Sequence, residues 1–135
     1  MGLFDVFRRK KRRQKQDVAK ALAVLALLEH ANSTRADAVD SDDLPSAFGS
    51  FGLCATNPIP TRSILGSYEY LANLRTDDGQ PVKASRVGST TAPEVTEAVI
   101  DVYALSVGGL NVATIYICPY HKKNSMRAPE GFVLQ

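Results

Sequence analysis

The 135-residue chain has no tryptophan, two cysteines, two histidines and two methionines. Its aromatics are five Phe and five Tyr, so the core must be mostly aliphatic. Cys54 and Cys118 are too few for a disulfide scaffold, and the expectation is free thiols in a reducing cytosol. A closed zinc site needs four good ligands, usually as two paired clusters. Here Cys118-x-x-His121 is one half-pair, with Cys54 and His30 isolated. We therefore expect no metal and no cofactor. No apolar run approaches the roughly 20 residues that a membrane span needs. The longest, Ala21 to Leu28, follows Lys20 and is closed by Glu29 and His30, and no small-x-small cleavage site lies just behind it. Val6 stands where a myristoylation motif wants Ser or Thr. Gly108-Gly109 is a single glycine pair rather than a phosphate loop, and neither His-Glu-x-x-His nor Gly-x-Ser-x-Gly occurs. Glu97 and Asp101 are too loosely spaced to act as a paired acid and base.

The charge that is present is unevenly placed. Residues 1–16 carry seven basic residues against Asp5, so seven minus one gives +6. The chain has 16 basic and 14 acidic residues, leaving nine and thirteen for the remaining 119, a net of −4. A basic tail on a mildly acidic body attracts an anionic surface, either lipid or nucleic acid. Arg8, Arg9, Lys10, Lys11, Arg12, Arg13 and Lys15 supply the charge. Phe4 and Phe7, with Leu3 and Val6, lie beside them and suit insertion at a bilayer interface. Nucleic acid would use the same charges through counterion release. The body lacks the aromatic-basic strand pattern of single-stranded nucleic-acid sheets, so anionic lipid is preferred.

Residues 17–31 predict a separate helix. Asp17 is a plausible N-cap ahead of a run rich in Ala and Leu. This helix is apolar nearly all round and so wants a partner protein or a second copy. Residues 32–50, with Asp37, Asp40, Asp42 and Asp43, read as a flexible acidic linker. Residues 51–135 predict a small α+β domain. Pro58 and Pro60 make 56–60 extended. Ser63 to Arg75 reads as a helix with Ile64, Leu65, Tyr68, Leu71 and Ala72 on one face, and Asp77-Asp78-Gly79 as a turn. Residues 82–87 read as a strand and 88–93 as a loop.

The strongest local pattern is a β-hairpin over 98–118 with Gly108-Gly109 at its turn. A simple two-residue turn sets Ile100 opposite Ile117, Val102 opposite Ile115 and Ala104 opposite Ala113, and makes that face the buried one. Phe132 to Leu134 is apolar enough to form a last short strand. The expected architecture is a small antiparallel sheet centred on this hairpin with one packed helix, preceded by the N-terminal helix.

His121, Lys122, Lys123, Asn124 and Arg127 follow the hairpin, and Arg86 on the neighbouring strand is a further candidate. Together they suit a small anionic ligand such as a phosphate or carboxylate. For an enzyme, the candidate catalytic residues are Cys118, His121 and Cys54, because a reactive thiol needs an adjacent base or positive field. The reading favoured is a cytoplasmic, non-enzymatic binding or adaptor module held by its tail at the inner membrane face. The alternatives are a small enzyme or anion-binding domain at the hairpin end, and a nucleic-acid-associated protein.

Overall fold

The computed structural model describes residues 3–33 and 35–135, and in the first helix it leaves out the side chains at 3–7, 25, 26 and 28–33. Helix α1 spans Leu3–Ser33 without a break. The expected separation of tail from helix at Asp17 is absent, because Arg, Lys and Gln are themselves good helix formers and carry the helix through the basic run. At 1.5 Å per residue it is about 46 Å long.

The body contains β1 (Ile59–Pro60), α2 (Ser63–Ala72), β2 (Leu74–Thr76), β3 (Lys83–Ala92), β4 (Thr96–Val107), β5 (Leu110–Cys118) and β6 (Phe132–Leu134). Four strands form a sheet in the order β1-β5-β4-β3, and β2 pairs with β6 in a second small sheet. The class is α+β, but the larger sheet is mixed: β1 runs parallel to β5, through Ile59–Ile117 and Pro60–Cys118. β3 continues through the segment expected as a loop. It does so with an extra residue in β3 at Val87 and, beyond the Thr90–Ile100 pair, extra residues in β4 before Ala92 meets Thr96. The last strand forms where expected.

The turn at Gly108 and Gly109 has both residues at positive φ, 58° and 83°, as a two-residue hairpin of this kind requires. Next to it Val107 pairs with Leu110 and Ser106 with Asn111. Leu105 then pairs with Ala113, so Val112 is an extra residue in β5. This bulge moves every pair beyond it by one. Tyr103 faces Ile115 and Asp101 faces Ile117. Next to the turn the buried residues are therefore Tyr103, Leu105, Ile115 and Ile117, and Val102 and Ala104 are only half-buried, whereas Ile100, further along β4, is fully buried as expected. A one-residue slip exchanges the two faces of a strand.

Those four residues pack with Phe51, Ile59, Tyr70, Leu71 and Leu74. Helix α2 also presents a different side from the one its apolar spacing suggests. Ser63, Gly66, Ser67, Tyr70 and Leu71 are buried, whereas Ile64, Leu65 and Tyr68 are exposed. Small residues face inward because neighbouring polar side chains come close: the Thr61 and Ser67 hydroxyls lie 2.8 Å apart.

Candidate functional site

Beyond Cys118 the chain runs alongside the entry to α2. The Thr61 amide donates to Cys118 O, the His121 amide to Thr61 O and the Ser125 amide to Pro60 O. Asn124 ties the two segments together. Its Oδ1 accepts from the Arg62 amide at 2.8 Å, and its Nδ2 donates to Gly66 O at 2.8 Å. A Cβ on residue 66 would lie 2.5 Å from Asn124 Oδ1, which explains a glycine in the first turn of the helix. Ser63 starts this helix in the left-handed region at φ 69°. Asn124 is thus committed to holding the fold. Asn124→Ala removes both bonds and is expected to cost about 1–2 kcal/mol, lowering Tm by roughly 5 °C in a thermal melt.

Of the other candidates for an anion site, Lys123, Arg127 and Arg86 are met by the chain's own carboxylates, whereas Lys122 is exposed without a described ion pair. Lys123 Nζ lies 3.1 Å from Asp42 Oδ1, and the Met126 amide donates to the same oxygen at 2.9 Å. Ser125 Oγ donates to Asp42 O at 2.8 Å. Arg127 pairs with Asp43 at 2.6 Å, with its guanidinium 4.6 Å above the Phe51 ring. Arg86 pairs with Asp101 at 3.1 Å. The acidic segment read as a flexible linker therefore lies over the basic loop 121–127. The Met126 amide, and then Lys123, hold the Asp42 carboxyl below the ordinary carboxylate range. These exposed ion pairs are each worth less than about 1 kcal/mol, but together with the main-chain bonds they fix the segment in place. The matching charge of 37–43 and 121–127 was visible in the sequence; which basic segment the acids would meet was not.

His121 lies under this strap and is 1% exposed. Its Nδ1 accepts from the Val39 amide at 3.0 Å, and the Lys122 amide donates back to Val39 O. An accepting Nδ1 places the ring proton on Nε2, and that atom is buried with no hydrogen-bond partner among the described residues. Burial, with a lesser contribution from Arg35, pushes the pKa down to about 4. His121 is a neutral structural acceptor and not a cation waiting for an anion.

Cys118 is fully buried, and burial pushes its thiol up to about 12. A thiol held in that form is a poor nucleophile and a poor metal ligand. Cys54 is bound within its own turn, with Sγ 3.4 Å from Ser50 O and 3.7 Å from Phe48 O. None of Cys54, Cys118 and His121 hydrogen-bonds another. Among the described residues no three His, Cys, Asp or Glu side chains are placed to hold a metal ion.

The tail presents the opposite picture. The side chains of Arg8, Arg9, Lys10, Lys11, Arg12, Arg13 and Lys15 are exposed. None takes part in a described ion pair. The side chains of Phe4, Phe7 and His30 lie outside the described residues. Further along α1, Val18, Leu22, Val24 and Leu27 are 54–71% exposed. Among the described residues no helix is long and apolar enough to cross a membrane. No protein-family model matches the chain, and no curated protein or solved structure resembles it significantly.

Proposed function

We propose that the protein is a non-enzymatic binding module that the basic part of α1 holds at an anionic bilayer, on the cytoplasmic face. The observation that carries this reading is a contrast between two basic segments. In the 121–127 loop Lys123 and Arg127 meet the chain's own Asp42 and Asp43. In α1 seven cations in eight positions stand exposed, without a described ion pair. Charge left without an internal counterpart is charge available to a partner. Each Lys or Arg near an anionic bilayer contributes about 1 kcal/mol before screening. Residues 3–7 add apolar positions directly beside them.

The test is sedimentation of the full chain with neutral and with phosphatidylserine-containing vesicles at low and physiological salt. Binding is expected with anionic vesicles alone and should weaken as salt rises. Changing all seven basic residues to Gln should reduce it at least tenfold. Undiminished binding by that variant defeats the reading. Salt-dependent retention on RNA or DNA, with no retention on vesicles, would assign the tail to nucleic acid.

A further inference from the structure

The continuity of α1 sets the rotational phase of its two apolar segments. Residues 4 and 22 are 18 apart, as are 7 and 25, and 18 residues at 3.6 per turn is five turns. The two pairs therefore come to the same side of the helix, although a basic run separates them. In an unbroken helix, positions 3, 4, 6 and 7 share one arc of about 160° with Val18, Ala21, Leu22 and Val24. The opposite arc holds Arg8, Arg9, Arg12, Arg13, Lys15, Gln16 and Lys20. Only Lys10, Lys11, Gln14 and Asp17 interrupt the apolar side in this stretch, and lysine stems reach outward from an apolar surface. The described side chains on the apolar arc, Val18, Leu22 and Val24, are exposed at 59%, 55% and 54%.

We infer that α1 lies flat in the headgroup region of an anionic bilayer as a single amphipathic helix, with Val18, Leu22 and Val24 inserted in line with residues 3–7. This rests on the bilayer reading above and extends it. The second apolar segment, expected from sequence to meet a protein, becomes part of the lipid contact. Charge complementarity decides the occupant. Over residues 3–24 a bilayer offers an apolar interior to one arc and anionic headgroups to the other, which is the usual arrangement of interfacial helices. Leu27, 71% exposed, lies beyond this stretch on the basic arc. A second copy seated in parallel on the apolar arc would set Lys10 and Lys11 against their own counterparts. That contact is repulsive.

The chain has no native tryptophan, so Leu22→Trp and Gln16→Trp each give the full-length protein one reporter, on the apolar and the basic arc of α1, about 120° apart. Both are added to phosphatidylcholine/phosphatidylserine vesicles with and without brominated acyl chains. L22W is expected to shift to the blue and to be quenched several-fold more strongly than Q16W. If L22W stays unshifted while the protein still sediments with the vesicles, the basic run binds alone and the flat-helix inference fails. Equal responses from the two reporters also overturn it, as does a concentration-dependent blue shift of L22W without lipid, which would mark self-association. If neither variant nor the native chain sediments with vesicles, the bilayer reading itself has failed.

Discussion

Leu105→Ala is expected to destabilise the protein by about 2–5 kcal/mol, whereas Val102→Ala costs about 1 kcal/mol or less. Leu105 is fully buried between the sheet and α2, with Tyr103 and Ile115 in the same cluster. Truncating it loses the transfer free energy of three carbons and leaves a cavity that the closely packed strands cannot fill. Val102 lies on the other face and is only half-buried. The pairing expected from a simple two-residue turn predicts the reverse ranking, because it puts Val102 opposite Ile115 on the buried face. Urea unfolding of both variants reads the difference directly. Equal losses would contradict the burial of Leu105 and the half-exposure of Val102.

The second large effect is a dependence on pH carried by His121. Its folded pKa is depressed to about 4 by burial, whereas an unfolded imidazole titrates near 6.5. Above 6.5 the ring is neutral in both states and its contribution is complete. Between 6.5 and 4 the unfolded chain takes up a proton that the folded chain refuses, so stability falls as pH falls through this window. A gap of this size corresponds to roughly 3 kcal/mol by the bottom of the window. His121→Asn retains an acceptor near the Nδ1 position for the Val39 amide and removes the titration. Its stability should change much less between pH 6.5 and 4. Below about pH 4 both proteins lose stability again, because Asp42 and Asp37 have lowered pKa values and protonate there. Guanidinium melts across pH 7 to 3.5 separate the two limbs. Parallel curves for the two proteins would show that His121 is not the group responsible.

The parts of the fold that could be read in the sequence are those decided by local chemistry. The Gly108-Gly109 turn, the strand at 132–134 and the helix starting at Ser63 each follow from a few adjacent residues. What could not be read depended on distant contacts. Val112 is an ordinary strand residue, and its extra place shows only when β4 and β5 are paired. The small residues of α2 face inward because Asn124, some 60 positions away, crosses the helix entrance. The candidate site followed the same division. The exposed basic run of α1 was legible because its charges meet no ion-pair partner among the described residues. The cluster at 121–127 was legible as a cluster, but its meaning changed once Asp42 and Asp43 lay against it. His121 looked like a titratable ligand until the Val39 amide met its Nδ1.

That strap has a consequence for how the body folds. The hairpin joins residues close in sequence, and such contacts form early and fast. The bonds that close the body are of another kind: Val39 to His121 spans 82 residues and Asp42 to Met126 spans 84. Closing an 82-residue loop costs about 1.4 kcal/mol more in chain entropy than closing the hairpin, whose outermost pair, Asp101 and Ile117, is 16 residues apart. The strap at 39–42 and the loop at 121–126 hold each other only when both have reached the body. Closing the strap over the loop is therefore expected late in folding, and it is the step that covers His121.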